Sequence, residues 1–337
     1  MMTTDWPEVT ILDVGHGSCT VLRDGDSVLV VDVPARPREL LETLREYGLN
    51  KINTIVISHG DQDHIAGLPD VLLDEELGVE RVFLNPDADR STATWQAVRL
   101  AVREARRRGL DVRLDLTCGA SRGLSMPRVE VAVVAPAEEN AMSGVTGRTL
   151  EGRRMTANSM SAVLHLFSAT TSGVLIAGDI DDVALEAIRA DNGLPKSEVL
   201  IFPHHGGRPG SADPEKFAAE VAESVQPSCV VFSLARDQPS MPRPEIVDAI
   251  SEAAPDAHVA CTQLALRCAA AIPLADQLHL LPLPARGYGQ RACCAGSLRF
   301  VFTDDGLAGP GLEGHRRWVQ ANVAEAVCRR MPDIAFG

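Results

Sequence analysis

In the stretch His59-Gly60-Asp61-Gln62-Asp63-His64, four side chains suited to a metal ion fall within six residues. Imidazole and carboxylate are the donors expected of a hydrolytic metal centre. A solvated acidic turn seldom brackets two acids between two histidines, so the spacing points to metal-assisted hydrolysis. Two later segments close on donors of the same kind. Gly173 to Asp179 ends in Gly178-Asp179, and Val199 to Gly207 ends in Pro203-His204-His205-Gly206.

These donors need strands to place them. The apolar, β-branched run Ile52 to Ile57 precedes the hexapeptide, and a helix start at Ile65-Ala66-Gly67-Leu68 follows it. That is the carboxyl end of a strand, where open α/β proteins put their chemistry. Further strand-like runs fall at 8–14, 18–23, 27–33, 82–84, 129–134, 161–168, 173–178, 198–202, 228–233, 257–262 and 297–302. Helical patterns fall at 37–47, 95–108, 181–191, 213–224, 244–253 and 315–330. Residues 137–157 lack periodicity and read as a long surface loop. Strands followed by helices, twice over, predict two sheets packed face to face with helices outside.

The motifs and their order resemble the metallo-β-lactamase superfamily, and within it the hydrolase domain of ComEC-type competence proteins. Leu12-Asp13-Val14-Gly15-His16-Gly17-Ser18 is similar to that group's opening Leu-Asp-Val-Gly-Gln-Gly-Asp. Val30-Val31-Asp32 is similar to its second strand, and Ser58 to Gly67 to its Ser-His-Pro-Asp-x-Asp-His-x-Gly-Gly. Asn158-Ser159-Met160-Ser161, Gly178-Asp179, Pro203-His204-His205-Gly206 and Pro242-Arg243-Pro244-Glu245 complete the set, which spans residues 7–262. The chain departs from the pattern at His16, Ser18, Met241 and Gly207, with Ser211 as a stand-in for the serine missing at 207.

The resemblance implies an αββα sandwich of four layers over residues 1–265, with 266–337 as a C-terminal extension packed on or next to it. It implies two divalent ions, Zn²⁺ or Mn²⁺. His59 and Asp61 would serve the first, and Asp63 and His64 the second. Asp179 would bridge them, and one of His204 and His205 would complete the second site. Asp63 and Asp179 are then the residues of catalysis, working on a metal-bound hydroxide. An aspartate at 61, where most of the superfamily has histidine, makes the first site rich in oxygen and shifts it towards harder ions such as Mn²⁺. Asp13, His16, Asp32, Asn158 and Ser211 are candidates for orienting the ligands or touching substrate.

Composition bounds the partners. The net charge of −14 argues against a general binder of polyanions, since non-specific nucleic-acid affinity comes from Lys and Arg neutralising phosphates. One basic stretch, Arg99, Arg103, Arg106, Arg107 and Arg108, is either the solvated face of a helix or a phosphate guide. No run of ~20 apolar residues is present, so membrane insertion is not expected. The opening Met1 to Pro7 has neither the basic nor the apolar region of a secretory signal, which makes the cytoplasm the expected compartment. Of the eight cysteines, Cys261, Cys268, Cys293 and Cys294 fall late. They are either buried thiols, a structural zinc site or a regulatory disulfide.

The leading expectation is a metal-dependent phosphodiesterase or nuclease with a nucleic-acid or nucleotide substrate. The alternatives are a hydrolase of a small ester, lactone or phosphocholine-type substrate, and an inactive metal-binding protein that works through protein partners.

Overall fold

Alternation along the strands sorts this chain into layers. In a computed structural model, which describes residues 6–121, 123–238 and 240–330, odd and even strand positions face different cores. The strands of the first half are β1 (Glu8–Ile11), β2 (Thr20–Asp24), β3 (Ser27–Val31), β4 (Lys51–Val56), β5 (Gly78–Phe83) and β6 (Asp111–Arg113). Those of the second half are β7 (Glu130–Ala135), β8 (Val163–Ser168), β9 (Thr171–Ile176), β10 (Val199–Ile201), β11 (Cys229–Phe232) and β12 (His258–Cys261). Two late strands, β13 (Leu298–Thr303) and β14 (Gly306–Ala308), return to the first sheet.

The first sheet runs β14-β13-β1-β2-β3-β4-β5-β6, and the second β12-β11-β10-β9-β8-β7. Strands β3 to β6 are mutually parallel, as are β9 to β12. Leu22, Leu29 and Val31 of the first sheet meet Leu164, Val174 and Ile176 of the second in the central core. Their neighbours Val21, Val28 and Val30 point the other way, as a period of two requires. That outer face packs under α1 (Arg38–Glu46), α3 (Leu68–Leu73) and α4 (Ala93–Arg107), while the one-turn α2 (Gln62–Ile65) follows β4. After the short α5 (Glu138–Ser143), the outer face of the second sheet is covered by α6 (Asp182–Asp191), α7 (Pro214–Val225), α8 (Pro244–Ala253) and α9 (Leu312–Asn322). The result is helix, sheet, sheet, helix, as expected.

Two local expectations need correction. Residues 137–157 are not all loop, because Glu138–Ser143 closes a helix. The last helix stops at Asn322 rather than near 330. Val323 leaves the helix at φ −125° and turns into the core, where it is 1% exposed. The late segment is woven into the first sheet: β13 pairs antiparallel with β1 from Glu8 opposite Val301 to Ile11 opposite Leu298. No helix among the described residues is long and apolar enough to cross a membrane.

Candidate metal centre

Parallel pairing brings like ends together. Asp32 follows β3, Ser58 and His59 follow β4, Asp179 follows β9, and His204 and His205 follow β10, all at carboxyl ends. The two sheets are stitched at this edge by the Ala162 amide, which donates to the Ser58 carbonyl at 2.8 Å. Close approach demands glycine twice. A Cβ on Gly17 (φ 124°) would collide with the Asp63 carbonyl, and one on Gly178 (φ 56°) with the Ser161 hydroxyl.

Two groups of donors result. His59, His64 and Asp179 form one, and His16, Asp63 and His205 the other; within each, one atom per residue lies within 4.8 Å of the others. The groups adjoin: His64 Nε2 is 3.5 Å from Asp179 Oδ1 and 3.8 Å from Asp63 Oδ2. His205 Nε2 is 3.1 Å from Asp63 Oδ2, and His16 Nε2 is 3.7 Å from the same oxygen.

The far side of each buried ring is anchored. His64 Nδ1 meets Asp32 Oδ2 at 2.7 Å, and His59 Nδ1 meets Ser58 Oγ at 3.1 Å and Ser161 Oγ at 3.4 Å. His205 Nδ1 donates to the Ser233 carbonyl at 2.5 Å. Asp32, at φ 63°, also accepts the Ser58 amide at 2.7 Å and its hydroxyl at 2.8 Å. The opposite nitrogens, His59 Nε2 and His64 Nε2, are buried without any hydrogen-bond partner. Such orphans are rare in proteins. Anchored Nδ1 with a free, inward Nε2 is how imidazoles are held for a metal ion. The donor set fits divalent ions.

Charge follows the same geometry. Burial works against ionisation of Asp63 and Asp179, but the neighbouring histidines outweigh it and hold both carboxyls well below the usual range. Burial likewise disfavours the charged form of His64, but Asp32 and Asp179 raise it well above its ordinary value. His205 is raised by Asp63 and Asp179 against the same penalty.

The remaining expected residues fall in distinct places. Asp61 lies outside both groups: its Oδ1 accepts Arg90 Nη2 at 2.5 Å, and its Oδ2 is 3.4 Å from His59 Nε2. The adjacent His59 ring and then the Arg90 guanidinium draw its carboxyl down to about 2, against the burial that would raise it. Of the paired histidines, His205 joins a group, whereas His204 Nε2 turns to the Ile180 carbonyl at 3.1 Å. His16 is more than half exposed and is held by the side-chain amide of Gln238. Asp13 is removed from the donors: it accepts Gln263 Nε2 at 2.8 Å and the Gly287 amide at 2.9 Å, binding the late segment to the first loop. The Asn158 carbonyl accepts the Ser161 amide at 3.0 Å, which shapes the turn before β8. Ser211 is directed to Asp182 at 3.3 Å rather than to the donors. The late cysteines do not form a metal group among the described residues. Cys293 Sγ faces Asp13 at 3.5 Å and Cys294 Sγ faces His315 at 3.2 Å, while Cys261 and Cys268 are buried free thiols.

Sequence reasoning missed the roles of Ser58, Ser161, Ser233 and Arg90. Ser58 and Ser161 at least stand inside the motifs. Arg90 has no pattern that announces it.

No curated protein matches the chain. Among solved structures, the metallo hydrolase Igni18 from the archaeon Ignicoccus hospitalis KIN4/I is 16% identical, covering 75% of this chain and 94% of its own, with a TM-score of 0.46. YhfI from Bacillus subtilis, a metallo-β-lactamase fold protein, is 12% identical over 76% of this chain and 96% of its own (TM-score 0.44). Zn²⁺-bound PqqB from Methylobacterium extorquens is 12% identical over 75% and 97% (TM-score 0.45). The family model of the metallo-β-lactamase superfamily matches residues 12–181, just over half of the chain, including the hexapeptide and Asp179. With its two sheets, its outer helices and its clustered histidines and aspartates, this chain belongs to the metallo-β-lactamase superfamily.

Proposed function

We propose that the protein is a metal-dependent phosphodiesterase of the ComEC-type group, acting on a nucleic acid or nucleotide. The observation that carries the metal part of this reading is the pair of buried, unpartnered nitrogens, His59 Nε2 and His64 Nε2. The substrate class rests on the likeness of successive motifs, from Leu12-Asp13-Val14-Gly15 to Pro203-His204-His205-Gly206. His59, His64 and Asp179 would hold one divalent ion, Zn²⁺ or Mn²⁺, and Asp63, His205 and His16 a second. Bound there, such ions polarise a phosphoryl oxygen and lower the pKa of water.

The chain's own residues do the rest. Asp63 is ionised and partly open to solvent, so it can accept a hydrogen from the attacking water and aim its lone pair. Asp179 lies where the two donor groups adjoin. Arg90, fixed between Asp87 and Asp61, sets a positive charge beside the donors.

The test is hydrolysis of bis-p-nitrophenyl phosphate, single-stranded DNA and RNA with Mn²⁺ or Zn²⁺. Activity should vanish with chelator and in Asp63→Ala, which must remain folded by circular dichroism. Cleavage of a lactone or carboxylic ester and of no phosphodiester would favour the small-substrate reading, which the net charge of −14 supports. A folded, metal-loaded chain that hydrolyses none of these would be a binding protein.

A further inference from the structure

A cavity of about 670 Å³ opens beside the metal centre, and nothing in the chemistry above uses it. Its floor is aliphatic, made by Leu84, Val98, Val102, Val112 and Leu114. Its rim carries Arg99, Arg103, Arg106 and Arg107 from one face of α4. The volume suits a ligand of nucleotide size.

Two observations say what it holds. The first is charge. The chain carries −14 overall, yet Arg99, Arg103 and Arg106 are exposed and have no carboxylate partner among the described residues, while Arg107 pairs with Glu104 at 2.9 Å. Unpaired arginines in such an acidic protein are vacant places for anions. Their spacing, i, i+4 and i+7, puts them on one stripe with axial steps of about 6 and about 4.5 Å. That is a row of cations able to follow a chain of phosphates.

The second is position. The cavity runs along α4 and the middle of β6 up to Leu84, Asp87 and Leu114, beyond the carboxyl ends of β5 and β6, which are parallel to β4 and pair outward from it. That end of it is therefore on the same edge as His59, one and two strands further out. Asp87 in its wall binds Arg90 Nε at 2.6 Å, and Arg90 binds Asp61. A wall of the cavity thus leads through Arg90 and Asp61 to His59.

We propose that this cavity is an extension subsite for a single-stranded polynucleotide. Phosphates flanking the scissile bond lie along Arg99, Arg103 and Arg106, and one base rests on the aliphatic floor. The proposal rests on the phosphodiesterase reading and names where the substrate strand runs. It also reconciles a polyanionic substrate with an acidic protein, because the positive field is confined to one stripe beside the site.

The test separates binding from cleavage. Affinity for a short fluorescein-labelled oligodeoxythymidylate is measured by anisotropy in metal-free protein, where no cleavage occurs. The Arg99→Glu/Arg103→Glu/Arg106→Glu variant should bind at least about tenfold more weakly. Its salt dependence should be shallower by about 2 in the log–log slope, as expected for three lost phosphate contacts on a single strand. Leu114→Asn, in the floor and without change of charge, should also weaken binding but leave the slope as it is. In the metal-loaded enzyme, kcat/KM for the oligonucleotide should fall relative to that for bis-p-nitrophenyl phosphate, which has no flanking phosphate for the arginines to hold. Equal oligonucleotide affinity and slope in wild type and the triple variant, in an enzyme that hydrolyses bis-p-nitrophenyl phosphate, would overturn the subsite alone. Absence of all phosphodiester cleavage would overturn the proposed function and the subsite as its extension. If dodecyl phosphate binds through the arginines and the oligonucleotide does not compete, the occupant is an amphiphile and the proposal is wrong.

Discussion

His64 Nδ1 and Asp32 Oδ2 lie 2.7 Å apart, 32 residues distant in sequence and both fully enclosed. The carboxylate fixes the ring and its tautomer, so Nε2 is presented to the site. Asp32→Ala should therefore weaken divalent-ion binding about 10- to 100-fold, read by competition with a chromogenic chelator. Asp32→Asn tolerates the same left-handed backbone and should fall between the two. Wild-type affinity in the alanine variant would remove this role.

Metal binding should release protons near neutral pH. His64 and His205 are both raised above their ordinary value by the carboxylates around them, so the metal-free chain holds protons there. An ion must displace them. Affinity should accordingly rise with pH through neutrality. Calorimetry in buffers of different ionisation enthalpy measures the release directly, and a heat independent of buffer would contradict it.

Gly178 immediately precedes Asp179 at φ 56°, with the Ser161 hydroxyl and the Ala162 carbonyl against its missing side chain. Gly178→Ala should cost about 1–3 kcal/mol of stability, seen in denaturant unfolding. Ser161 is displaced in that variant, and Ser161 also contacts His59, so metal affinity should drop with it.

Acid should act far from the metal. Burial holds His258 down to about 4, and its hydrogen-bonded partner His315 is also well below its ordinary value for the same reason. Between about 6.5 and about 4 the unfolded chain binds these protons and the folded chain does not. Stability is therefore full above that window and lost as pH falls through it, by on the order of 3 kcal/mol for His258. His258→Gln should lose less stability than wild type over the same range, and parallel losses would count against this origin.

The sequence made the metal edge legible because each of its motifs is local. A β-branched run, a turn and a donor lie within about ten residues of one another, as in Ile52 to His64. Period-two patterns also disclosed the layers. What stayed hidden depends on distant partners. Arg90 matters because it reaches Asp61 across 29 residues, and Asp13 because it accepts Gln263 across 250. The strands β6 and β14 are three residues each, too short for any period to register. Which of His204 and His205 stands beside Asp63 needed coordinates, because adjacent histidines look alike until one ring is seen donating to Ser233.

The pairing of β13 with β1 bears on how the chain is made. Synthesis delivers β1 first and β13 almost 300 residues later. Until then, β1 offers a bare row of amides and carbonyls at the rim of the nascent sheet, with Val9 and Ile11 beside it. Unpaired rims of this kind recruit other strands. Ribosome-bound chains, or chains cut before β13, should consequently be the aggregating species, since only β13 covers that rim.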